Sequence, residues 1–126
     1  MAERKTKPPR PRAPRSRRRV PRAVVILSAY PSRAAAERAA RALVRSRAVA
    51  CATVTPNGRA FYRWEGKERA DSSTLLWGKT TASRARAAVL AIRASHPDRV
   101  PEILVLPVQG GHAPYLAWIE KEVGLR

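Results

Sequence analysis

The segment Phe61-Tyr62-Arg63-Trp64-Glu65-Gly66-Lys67 gathers three of the chain's seven aromatic residues beside Arg63, Glu65 and Lys67. Aromatic faces next to cations can stack on nucleic-acid bases or line a small-ligand pocket. They can also simply pack within a twisted sheet. On a strand, Tyr62 and Trp64 share one face while Phe61 and Arg63 take the other. RNA-recognition strands set small residues between their aromatics, and this segment does not.

Catalytic constellations are not legible elsewhere. There is no Ser-His-Asp set, no paired-carboxylate pattern and no glycine-rich phosphate cradle, so an enzyme is not expected. Cys51 is the single cysteine. It excludes an internal disulfide and fits a reducing compartment, with the cytoplasm as the expected location. Set among small residues on a strand, it reads as a buried small hydrophobe.

The charge balance is lopsided, with 26 basic side chains against 9 acidic and a net charge of +17. Residues 1–22 hold ten of the basic groups, one acidic group and five of the eleven prolines. Such a stretch has too little apolar surface to offset its ordering entropy, which predicts a disordered basic tail. It is either a solvated extension or an electrostatic clamp for nucleic acid or another anionic surface. Its prolines and lack of an apolar face argue against an amphipathic transit helix. No apolar run approaches the length of a membrane span. Residues 23–126 are enough for one domain with a real core.

The elements that must position FYRWEGK follow from periodicity. Ala23–Ala29 is a continuous apolar run, suited to a strand buried on both faces. Ser32 is a natural N-cap for a helix over Arg33–Arg47, with Arg33, Glu37 and Arg41 as an i,i+4 ladder. Val49–Thr55 reads as a second strand, stopped at Pro56-Asn57-Gly58 by a turn signal. Ala60–Trp64 is a third strand, Glu65-Gly66-Lys67 a bend or bulge, and Ser73–Lys79 a fourth strand. A second helix over Ser83–Ser95 carries Ala85, Ala88, Val89 and Ile92 as its apolar stripe and ends before His96-Pro97. A strand over Glu102–Val108 and a helix over Ala113–Glu122 complete the chain. This order contains the βαββαβ core of a ferredoxin-like split sheet, an α+β fold with its helices on one face.

Several motifs occur in a fixed order: Val49-Ala50-Cys51-Ala52-Thr53, Tyr62-Arg63-Trp64-Glu65-Gly66-Lys67, Lys79-Thr80-Thr81, His96-Pro97, Val100-Pro101-Glu102-Ile103 and Tyr115-Leu116-Ala117-Trp118-Ile119. Together they closely resemble the CutA family of divalent-cation tolerance proteins, from Val24 to Gly124, with the basic tail outside the likeness. The resemblance implies a ferredoxin-like subunit with an extended bent hairpin and a C-terminal helix. It also implies a homotrimer similar to the PII signalling proteins, in which the hairpin strands of neighbouring subunits extend one another's sheets. On that reading Tyr62, Trp64, Glu65 and Lys67 serve assembly or line a ligand cleft, with Glu65-Gly66-Lys67 bending the strand toward its neighbour.

The resemblance also brings in Cu(II) or another divalent cation. Family members proposed to bind copper use a cysteine ending the first strand and a His-His pair before the proline. Here those positions are Ser28 and Ser95-His96, so only His96 matches, and a serine hydroxyl is a poor copper ligand. The metal candidates are therefore His96 and Glu102, with Lys67 in a looser constellation. His96 has an alternative role at its helix end, bonding free carbonyls, and His112 reads as a loop residue. Ferredoxin-like acylphosphatases need an arginine in the loop after the first strand and a placed asparagine. Tyr30-Pro31-Ser32-Arg33 offers the former, but Asn57, the only asparagine, falls at the turn. Two functions stay open: a non-enzymatic trimer binding a cation or small ligand at intersubunit clefts, and a polyanion binder acting through the tail.

Overall fold

The computed structural model describes residues 23–124. The basic stretch 1–22, expected to be disordered, lies outside the described residues. The element order is β1 (Ala23–Tyr30), α1 (Arg33–Arg45), β2 (Cys51–Trp64), β3 (Lys67–Thr81), α2 (Ala82–Ser95), β4 (Ile103–Pro107) and α3 (Ala113–Val123). The strands form one sheet in the order β2-β3-β1-β4, every pair antiparallel. The strand order and pairing are those of the expected ferredoxin-like α+β fold.

Alternation along β1 sends Val24, Ile26, Ser28 and Tyr30 into the buried layer. They pack with Leu76 of β3, with Ala36, Ala39, Ala40 and Leu43 of α1, and with Ala88 and Ile92 of α2. Alanines on α1 let the helix sit close to the sheet, and Ser32 caps it by accepting the Ala35 N–H at 3.1 Å. The helix ends at Arg45, two residues before the expected Arg47. Arg47 takes a left-handed φ of 64°, and the Ala48 N–H returns to the Leu43 carbonyl at 3.0 Å, closing the last turn. α3 packs on β3 and β1, burying Ile119 and Val123.

The hairpin corrects two expectations. Pro56-Asn57-Gly58 is not a turn: β2 runs through it as one strand of 14 residues. The register slips between Thr55 and Gly58, so Pro56 and Asn57 are accommodated as a bulge, with Asn57 at a φ of 69°. The chain reverses instead at Glu65-Gly66, where a bend was expected. Both residues have positive φ, 52° and 79°, between the paired Trp64 and Lys67, as a two-residue type I′ hairpin requires. The expected third and fourth strands therefore belong to two long ones.

The bulge also divides the hairpin by environment. Residues 75–79 of β3 pair with both β1 and β2, whereas residues 67–73 pair with β2 alone. The outer part is a two-stranded ribbon, exposed along residues 61–72, carrying FYRWEGK beyond the sheet.

Candidate functional site

Where the ribbon leaves the sheet it borders a cleft of about 1080 Å³. One wall is the ribbon face carrying Tyr62, Trp64, Arg69 and Asp71; the opposite wall is the segment from Asp98 to Glu102 that leads into β4. Register explains the first wall. Trp64 opposite Lys67 sets Tyr62 opposite Arg69 and Ala60 opposite Asp71, and residues directly opposite share a face. The Tyr62 hydroxyl donates to Asp71 Oδ2 across the diagonal. That hydrogen bond is the main reason the phenol is held above its ordinary pKa. The cleft therefore presents aromatic surface, the carboxylates of Asp71, Asp98 and Glu102, and the guanidinium groups of Arg69 and Arg99.

Glu102 lines this cleft, just before β4 begins rather than within it. Its backbone carbonyl accepts the buried Ser28 hydroxyl at 2.8 Å. Ser28 is thus a structural tie between β1 and the entry to β4, with its donor already committed.

His96 is buried behind the cleft and does not line it. It forms the extended C-cap of α2 rather than part of its last turn. Nε2 lies 2.7 Å from the carbonyl of Ala29, and Nδ1 accepts the Asp98 N–H at 3.0 Å. An amide N–H can only donate, so Nδ1 is the bare nitrogen and Nε2 carries the proton. The carbonyl it bonds belongs to β1, not to the helix end. A metal ion at Nδ1 would have to displace the Asp98 amide.

Lys67 and Glu65 stand at the ribbon tip, away from the cleft lining. His96, Glu102 and Lys67 are thus not brought together in a single chain; Tyr62, Trp64 and Glu102 are. Among the described residues no group of three or more His, Cys, Asp or Glu side chains converges as a metal site. The residues of one chain do not fit a closed metal centre.

Cys51 is half-buried rather than a buried hydrophobe. Its Sγ lies 3.8 Å from Lys79 Nζ, which donates to Thr53 Oγ1 at 2.7 Å. His112 is the N-cap residue of α3, where its backbone carbonyl accepts the Tyr115 and Leu116 amides.

The profile of the CutA1 divalent ion tolerance protein matches residues 24–122. The chain belongs to this family. A relative named divalent-cation tolerance protein CutA, from Pectobacterium atrosepticum, is 41% identical over 97 residues, covering 77% of this chain and 88% of its own. The crystal structure of CutA from Xylella fastidiosa superposes with a TM-score of 0.78 at 37% identity, covering 80% of this chain and 97% of its own. The Cut A1 protein of Thermus thermophilus gives 0.78 at 36% identity, covering 81% and 99%. The general role that comes with CutA membership is divalent-cation tolerance, and it is not a catalytic one.

Arg69, Asp71, Asp98 and Arg99 are cleft residues that sequence reasoning missed. The Tyr62–Asp71 contact was recoverable had Glu65-Gly66 been taken as the reversal, since a two-residue turn fixes every pair of the ribbon. Asp98 and Arg99 left no periodic signal, because they sit in a loop brought near by tertiary packing.

Proposed function

We propose that this CutA protein works in the cytoplasm as a homotrimer. In it the ribbon carrying Tyr62 and Trp64 docks on a neighbouring subunit, and the cleft between ribbon and the Asp98–Glu102 segment takes up a divalent cation. The observation that carries the reading is the exposure of the ribbon aromatics in a single chain: Phe61 is 74% exposed, Tyr62 41% and Trp64 38%. Large aromatics left open on a two-stranded ribbon call for a partner surface. A carboxylate-rich cleft offers hard oxygen donors, better suited to a weakly held divalent cation than to a soft thiolate-type centre. One chain's carboxylates do not close around an ion, so docking would have to complete the site. On this reading Glu102 is a cation ligand and His96 positions the Asp98 loop from behind.

Sedimentation equilibrium of the full chain tests the assembly, with three times the 13.9 kDa chain mass expected. A monomer at micromolar concentration would overturn it. Calorimetric titration with Cu(II) and with Mn(II) tests the cation. Saturable binding that weakens in Glu102→Gln supports the cleft; no saturable binding to an intact trimer retires it. Loss of binding in His96→Ala, with Glu102→Gln unchanged, would move the ligand role to His96.

A further inference from the structure

The described part of the chain divides sharply by charge. On α1, the loop after it as far as Arg47, and α2 stand eight arginines and one carboxylate, Glu37. All the other described residues together carry seven basic and seven acidic side chains. The whole net positive charge of the described residues therefore sits on α1, α2 and the loop that follows α1.

Geometry concentrates part of it further. Ala36, Ala39, Ala40 and Leu43 form the buried stripe of α1, so Arg38, Arg41 and Arg45, at i, i+3 and i+7, rise on the opposite side, and all three are exposed. They span about 10 Å along the helix axis. Arg33 is taken by Glu37 at 2.8 Å, and Arg41 feels that same carboxylate. Arg38 and Arg45 have no ion-pair or hydrogen-bond partner among the described residues. Like charges held this way repel one another unless an anion comes to them.

The chain enters the domain beside this ridge. Ala23, the first residue of β1, lies opposite Thr81. Thr80 Oγ1 donates to the Ala48 carbonyl at 2.7 Å, and Arg84 donates to the Arg47 carbonyl at 3.0 Å. The start of β1, the end of α1 and the start of α2 thus meet at one end of the molecule. Arg45, Arg47 and Arg84 stand at that end.

We propose that the Arg38-Arg41-Arg45 ridge of α1 is a binding surface for the phosphate backbone of double-helical nucleic acid. The side chains around the ridge select this partner among polyanions. Between the arginines α1 exposes Ala34, Ala42 and one larger residue, Val44. It has no aromatic platform on which single-stranded bases would stack. It also lacks the bulky apolar face with which an amphipathic helix enters a lipid surface. Guanidinium groups set among alanines can bridge phosphates, and contacts confined to phosphates are independent of base sequence. The surface is separate from the cation cleft and does not depend on it.

The test is fluorescence anisotropy of the full chain with a labelled random DNA duplex of about 30 base pairs, titrated across a salt series from about 50 mM. Arg38→Gln, Arg41→Gln and Arg45→Gln are combined, and an equal charge loss at Arg59, Arg63 and Lys121 serves as control. With folding of both variants checked by circular dichroism, the ridge variant should bind at least about tenfold more weakly. Its log–log salt slope should be shallower by about 2.7, three phosphate contacts' worth. Absent duplex binding at the lowest salt, an unchanged slope in the ridge variant, or an equal loss in the control would each overturn the proposal. So would tighter binding to phosphatidylserine vesicles than to the duplex.

Discussion

The imidazole of His96 stacks on the phenol ring of Tyr30, with centroids 4.2 Å apart and planes inclined by 23°. The same imidazole bonds the carbonyl of Ala29, the residue before that tyrosine, and takes the Asp98 amide on its other nitrogen. One side chain thereby ties the end of β1 to the loop that forms a wall of the cleft. Its neutral form, protonated at Nε2, satisfies both bonds at once.

Removing that tie should be costly. His96→Ala loses the ring stack and leaves both the Ala29 carbonyl and the Asp98 amide without their side-chain partner. A loss of about 2–4 kcal/mol is expected from these contributions. His96→Gln, which can restore one of the two bonds, should lose less. Urea midpoints at fixed protein concentration measure both; a His96→Ala midpoint equal to the parent's would show that the tie bears no weight.

Tyr30 itself carries a less useful atom. Its side chain is buried, and its hydroxyl has no hydrogen-bond partner among the described residues. Tyr30→Phe should therefore keep the stack on His96 and gain up to about 1 kcal/mol, since an unmet buried hydroxyl is removed.

A pH dependence follows from the same residue. Burial raises the Tyr30 phenol above its ordinary value of 10.0. A raised folded-state pKa means the unfolded chain ionises first. The associated stability is complete below the ordinary value and is lost as pH rises through the raised one. Tyr30→Phe should flatten the fall in melting temperature above about pH 10. What alkaline loss remains in the variant has a source in Tyr62, raised in the same direction chiefly by its bond to Asp71. A parent and variant with parallel melting curves across that range would refute the assignment.

Most of the sheet was readable because buried elements announce themselves by period. Ala23–Ala29 and the alanine stripe of α1 place themselves with no knowledge of the rest. The hairpin was harder. Pro56-Asn57-Gly58 has turn chemistry, and Asn57 does adopt a left-handed φ of 69°, but pairing on both sides carries β2 straight through it. Glu65-Gly66 has weaker turn composition yet performs the reversal, because the Trp64–Lys67 pair demands two residues of positive φ. The cleft was half legible. Tyr62, Trp64 and Glu102 converge there, whereas His96 turned inward for a reason invisible in sequence: its partners are a carbonyl 67 positions away and an amide beyond a proline.

The bulge and the turn should answer glycine replacement differently. A Cβ on Gly58 would stand 2.7 Å from the Ser73 carbonyl oxygen, a backbone atom that cannot swing aside. Gly58→Ala should cost about 1–3 kcal/mol, or shift the ribbon's register. At Gly66 nothing lies within 4 Å, and only the φ of +79° resists a side chain. Gly66→Ala should cost about 1–2 kcal/mol with the register intact. Amide exchange across residues 58–73 separates the two outcomes: a slipped ribbon exchanges fast with Gly58→Ala and not with Gly66→Ala.

Trp64 distinguishes packing within the chain from packing between chains. Its ring is 38% exposed in a single chain, on a ribbon whose strands pair only with each other beyond the bulge. Truncation within an isolated subunit should therefore remove only the part of the ring that the subunit itself covers. If a neighbouring subunit covers that ring, Trp64→Ala removes a large buried aromatic and should destabilise the assembly by about 3–5 kcal/mol. The two cases differ in their dependence on concentration, because only a loss between subunits moves with mass action. Expected, then, is a variant that sediments as smaller species at micromolar concentration and whose melting temperature climbs as protein is added. A Trp64→Ala protein with unchanged mass and melting temperature would place the indole outside the interface and leave Tyr62 and Phe61 as the ribbon's remaining aromatic contacts.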